Sequence, residues 1–286
     1  MSVRAVTKAS IGSIGAVGVS VVLALIVTQS QSTARDTDHE ASQKIRLQPI
    51  TSSVAVRKET RLLAQTIEVQ AITEKAALLP VVNQEGIREE HRIIADAVLR
   101  RLPALCRDHL KNFYVLYANP KQRGLGGKST IILDGTVSDT EFAGLLVHEC
   151  GHVMHGNMLG NARSGESAFK DGKDTFAADS PAAAFFALSW METDIMQAGQ
   201  TDADFVTGYA AHDPFEDFAE TFATYVLQRP SMVERAQTND VIAAKLQWMD
   251  TYLPVAENVL GTAEYSWDKK VPWDATKLSY DWNPIP

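Results

Sequence analysis

In the stretch LLVHECGHVMHGN, residues 145–157, His148 and His152 stand four apart with Glu149 beside the first of them. On a helix that spacing puts both imidazoles on one face, a single turn apart, where they can share one divalent cation. Glu149 then sits next to the cation, placed to take a proton from water. Two rings do not complete such a site, and the missing ligand is expected to be a carboxylate from another helix. PFEDFAETFATY (214–225) offers the best candidate. Phe215, Phe218, Phe222 and Val226 make its apolar stripe, while Glu216 and Glu220 share a different face. Two aligned acids on a largely apolar helix are costly to bury without a cation. Glu216 is therefore the expected metal ligand. Glu220, one turn on, is placed to accept the N–H of a ligating histidine from behind. Asp213 and Glu216 also have the spacing of a capping box, and Asp217 is a competing acid. His155 is a further candidate as ligand or substrate contact; otherwise it suits the negative end of the helix dipole. Cys150 points away from the histidine pair by helix geometry and reads as a small buried filler. A structural bridge from it to Cys106 is not expected.

The elements that must position these groups are legible in outline. Ser138 and Glu141 have the spacing of a capping box, and the helix they open continues until Gly156 can stop it. Asp213 as N-cap and Pro214 in the first turn open the acid-bearing helix. Ile87, Ile94, Val98 and Leu102 fall on one face of an earlier helix. NFYVLYA (112–118) and STIILDG (129–135) are β-branched, aromatic and bounded by Asn, Pro and Gly, as strands are. SPAAAFFALSWM (180–191) begins with a Ser-Pro helix start, DADFVTGYAAHD (202–213) reads as a loop, and a last helix runs through DVIAAKLQWMDTYL (240–253). GLGGKST (124–130) imitates a phosphate loop, but Gln122 occupies the position of its first glycine and a strand follows where a helix is required. Its glycines are expected to shape a turn.

His-Glu-x-x-His is the pattern of zinc peptidases, with zinc activating a water and polarising a carbonyl while the glutamate handles the proton. The extended metzincin form needs Gly at 155 and His at 158, where this chain has His155 and Met158. With the second helix reading E-x-F-A-E, the chain resembles the gluzincin metallopeptidases, most closely the catalytic domain of anthrax lethal-factor-like proteins. The resemblance covers roughly residues 85–255 in element order and is specific in the two motif helices. It implies zinc on His148, His152 and Glu216, and Glu149 as general base. It also implies a tyrosine, seven residues before the third ligand, that stabilises the oxyanion; that position is Tyr209. In zinc peptidases an edge strand beside the motif helix aligns the peptide, and residues 129–134 are the expected strand. The implied fold is α+β, zincin-like, mostly helical with a small sheet.

Length and composition set the frame. The chain has 286 residues, 22% charged, with net charge −8 and two cysteines. That suffices for one sizeable domain and disfavours nucleic acid as a partner. Arg4 and Lys8 precede ASIGSIGAVGVSVVLALIVT, and no charge returns until Arg35. Residues 1–34 are read as a signal peptide or a membrane anchor, 35–83 as a tether with one helix, and 84–286 as the metallopeptidase domain. Either N-terminal reading places the domain outside the cytoplasm, secreted or membrane-anchored. The expected activity is zinc-dependent hydrolysis of a peptide or protein substrate. The alternative is a non-catalytic zinc-containing peptide-binding or adhesion module on the same fold.

Overall fold

A computed structural model describes residues 77–256, 259–262, 270–277 and 281–282. Residues 1–34, read above as a signal peptide or anchor, and most of 35–83, read as a tether, lie outside these residues. Among the described residues no helix is long and apolar enough to cross a membrane.

Helix α1 (Glu89–Arg101) buries Ile94, Ala95, Val98 and Leu99, and its acidic start and basic end suit the helix dipole. Val82 and Ile87, just before it, are also buried in the core. Helix α2 (Ala104–His109) follows, then β1 (Asn112–Leu116), β2 (Gly124–Gly127) and β3 (Thr130–Asp134). These strands form one sheet in the order β1-β3-β2, with β1 parallel and β2 antiparallel to β3. Phe113 faces Ile131 and Val115 faces Leu133 across the parallel pair, and all four are buried. Two expectations are corrected here. The glycines of GLGG form a strand rather than a turn, and that strand is the edge of the sheet. Residues 129–134 lie in its centre, so β2 is the edge beside the site.

Helix α3 (Asp139–Gly156) carries the histidine motif and starts where Ser138 Oγ accepts from Glu141 N at 3.2 Å. The reciprocal bond of a capping box is absent, because the Glu141 carboxylate turns instead to Arg123 and Lys277. Strands β4 (Glu166–Asp171) and β5 (Asp174–Ala177) make a hairpin whose turn contains Gly172 at φ 59°. Helix α4 (Pro181–Phe186) stops early, and β6 (Trp190–Glu192) and β7 (Ile195–Met196) form a second hairpin. Helix α5 (Pro214–Leu227) carries the acids, and α6 (Arg229–Ala236) and α7 (Asp240–Tyr252) pack behind it. Short strands β8 (Gly261–Thr262) and β9 (Asp281–Trp282) pair antiparallel. The architecture is α+β, and its core includes an aromatic cluster of Phe185, Phe186, Phe218 and Trp248.

Helices α3 and α5 cross at Gly151 and Ala219. A Cβ on Gly151 would stand 2.6 Å from the Ala219 Cα, so only glycine permits this approach. On the far side of α3, Cys150 is bonded to Cys106 of α2, with Cα atoms 5.4 Å apart. This corrects the expectation of a free buried cysteine. Cys150 does point away from the histidines, and that direction carries it to Cys106.

Candidate metal centre

The crossing of α3 and α5 brings the predicted groups to one point. His148 Nε2 and His152 Nε2 are 3.2 Å apart, and Glu216 Oε2 lies 3.3 Å from the first and 3.4 Å from the second. Three donors of a tetrahedral zinc with bonds of about 2.0–2.1 Å are held roughly 3.3 Å apart, so this triangle fits the ion. Glu216 Oε2 is buried and has no hydrogen-bond partner among the described residues, as suits an atom shaped for a cation. Burial works against ionisation of Glu216, but the two imidazoles outweigh it and hold the carboxyl well below the usual carboxylate range.

The competing assignments separate cleanly. Asp213 caps α5 by accepting from Phe215 N at 2.8 Å and Glu216 N at 2.9 Å. The backbone of Glu216 is thus capped while its side chain enters the site. Asp217 faces the opposite way, fully buried, and bonds Lys245 Nζ at 2.7 Å and Trp190 Nε1 at 3.1 Å.

Behind the triangle, each histidine has its own support. Glu220 Oε1 is 2.7 Å from His148 Nδ1. Burial lowers the His148 pKa, yet Glu216 and Glu220 together raise it well above the ordinary value. His152 Nδ1 is 3.1 Å from His155 Nε2. His155 is 2% exposed, and burial first, then the nearby imidazoles, push its pKa well below the ordinary value, so it is neutral. Its ring lies outside the triangle and does not line the cleft of the metal site; as a neutral imidazole it offers His152 Nδ1–H a hydrogen-bond acceptor. Its position three residues after His152, on the same helical face, was the available sign of this contact.

Glu149 is 4% exposed and borders the cleft. Burial is the main cause of a carboxyl pKa above the ordinary value, the direction a base working near neutral pH needs. Strand β2 lies directly on it: a Cβ on Gly124 or Gly126 would stand 2.0 or 2.6 Å from a Glu149 carboxylate oxygen. The glycines therefore let the sheet edge approach the motif helix. Tyr209, in a one-turn 3₁₀ helix (Tyr209–Ala211), donates its hydroxyl to Glu216 Oε1 at 3.0 Å. Burial, with Glu216 next, raises its pKa, so the phenol keeps its proton. His148, Glu149, His152, Tyr209, Glu216 and Glu220 open on a cleft of about 480 Å3 that is also lined by Arg123, Leu125, Asp171 and Trp273.

An α+β domain in which two histidines and a glutamate converge in this way is built for a divalent metal. A family model described as "Putative zinc-binding metallo-peptidase" matches residues 140–284, about half of the chain. The chain belongs to this zinc-binding metallopeptidase family. No curated protein and no solved structure matches it.

Proposed function

We propose that this protein hydrolyses peptide bonds as a gluzincin-type enzyme of lethal-factor-like design, acting outside the cytoplasm. The observation that carries the reading is the buried Glu149 carboxylate in the cleft, beside a donor triangle of zinc dimensions. A purely structural zinc site has no use for such an acid and closes its fourth position with protein.

His148, His152 and Glu216 would hold zinc, which when bound would supply acidification of a water and polarisation of the scissile carbonyl. Glu149 takes the proton from the attacking water and delivers it to the leaving amine nitrogen. The Tyr209 hydroxyl, already directed at the site, donates to the oxygen that gains negative charge. Glu220 and His155 fix the two imidazoles in orientation and tautomer. The glycine edge β2 borders the cleft and has backbone groups to pair with an extended peptide. The Cys106–Cys150 bridge supports an oxidising, extracytoplasmic setting, as does the apolar N-terminal stretch.

The direct test is Glu149→Gln with a general protein substrate, alongside metal analysis. Hydrolysis is expected to fall to background while one zinc per chain remains, and a chelator should abolish wild-type cleavage. Full cleavage by Glu149→Gln would remove the mechanism. Zinc binding by a wild type that cuts nothing would favour a peptide-binding module.

A further inference from the structure

We propose that residues 272–277, far along the chain from both motif helices, are a positioning strap that completes the metal centre. The inference rests on the zinc reading above and goes beyond it.

The strap reaches the centre at Glu220. That carboxylate is 1% exposed, and its two oxygens have different tasks. Oε1 faces His148 Nδ1, whereas Oε2 accepts from Thr207 Oγ1 at 2.6 Å and from the Ala275 backbone N–H at 2.7 Å. A buried carboxylate that must stay correctly turned needs donors on the oxygen it does not offer to the histidine. The chain supplies one from the loop before Tyr209 and one from the strap.

The strap also holds Tyr209. Gly208 N donates to Pro272 O at 2.8 Å, and Tyr209 N donates to Trp273 O at 2.8 Å. The backbone carrying the phenol is therefore hydrogen-bonded to the same segment that fixes Glu220. Two ion pairs keep the strap down. Asp274, 2% exposed, accepts from Arg123 Nη2 at 2.7 Å, and Lys277 Nζ donates to Glu141 Oε1 at 2.9 Å. Arg123 directly precedes the glycine edge β2, and Glu141 lies in the first turn of the motif helix. The segment thus joins the edge strand, the motif helix, the tyrosine turn and the carboxylate behind His148.

The test uses the full chain and zinc itself as probe. Ala275→Pro removes the N–H that Glu220 receives, Ala275→Gly retains it, and Thr207→Val removes the other donor. Zinc dissociation constants come from competition with a chromophoric chelator, the visible spectrum of the cobalt-substituted protein reports ligand geometry, and melting in EDTA reports the fold. Ala275→Pro and Thr207→Val should each weaken zinc about 10-fold or more and shift the cobalt bands, with Ala275→Gly close to wild type. If Ala275→Pro does not fold, Asp274→Asn, which removes the ion pair with Arg123 that keeps the strap down, decides by the same zinc and cobalt readouts. Zinc affinity within about twofold of wild type and unchanged cobalt spectra in the folded variants would make the strap merely structural and overturn the proposal. A wild type that binds no zinc would instead overturn the peptidase reading, and this one with it.

Discussion

At the scale of single residues, His155 separates binding of the ion from support of the fold. It sits among Phe176, Phe186, Phe215 and Phe218, its Nε2 serves His152, and its Nδ1 is buried with no hydrogen-bond partner among the described residues. His155→Phe should keep the aromatic packing and leave the His152 N–H without an acceptor. Zinc affinity should fall about 10- to 100-fold by calorimetric titration. The pH dependence has a definite sign. The folded-state pKa of His155 is depressed, so its stability contribution is present above the unfolded value of about 6.5 and is lost as pH falls towards the folded one. Zinc-free His155→Phe should therefore lose less stability than wild type on acidification below about pH 6.5, as urea melts would register. The meeting of His148, His152 and Glu216 was legible in the sequence because residue type and helical spacing put donors on matching helix faces. The contact of His155 was not, because an aromatic cage assembled from three other elements decides where that ring points.

At the scale of elements, the site exists because α3 and α5 approach as closely as backbones can. Gly151→Ala would drive a methyl group against the Ala219 backbone, which cannot move aside as a flexible side chain could. The variant should lose about 1–3 kcal/mol of stability in denaturant melts and bind zinc more weakly, because the Glu216 carboxylate travels with α5. A Gly151→Ala protein with unchanged melting and zinc affinity would show that the crossing tolerates expansion. Behind α5, the buried Lys245 also donates to Asp204 O at 3.0 Å, and Arg235 donates to Val206 O at 2.7 Å, so the loop leading to Thr207 and Tyr209 is pinned from below. Helices α1, α3, α5 and α7 were readable from periodicity and caps. Strand β2 was not, because four residues containing three glycines carry no strand propensity; the strand exists through pairing with β3 and through the flatness the motif helix demands.

At the scale of the whole molecule, a covalent link and an acid-sensitive latch hold the sequence-distant parts around the centre. The Cys106–Cys150 bridge spans 44 residues, for which chain-entropy accounting gives about 4 kcal/mol. Replacing both cysteines by alanine should lower the urea midpoint accordingly, and a reductant should destabilise wild type towards the same value. No shift in either experiment would show that the bridge does not hold α2 to α3. The strap is sensitive to acid. Burial opposes ionisation of Asp274 and Glu141, but Thr276 and Arg123 outweigh it for the first, and Lys277 and Arg123 for the second, leaving both below their ordinary values. Their stabilisation is intact above the unfolded carboxylate range of about 3.9–4.3 and is lost as pH falls through the folded values. Asp274→Asn should accordingly be less stable than wild type at neutral pH, with the gap narrowing in acid. The bridge and the strap both escaped the sequence for one reason. Each depends on which surface of a helix meets a segment remote in the chain, and no local pattern records that.

Saturation mutagenesis of positions 124–127, sorted by folded, zinc-binding protein, would make the glycine edge visible in another way. Substitutions at 124 and 126 should vanish from the surviving pool, since any methyl there meets Glu149, while 125, exposed at the cleft rim, and 127, with open space beside it, should accept many residues. A two-residue rhythm of survival and loss would emerge from four letters that look like a loop.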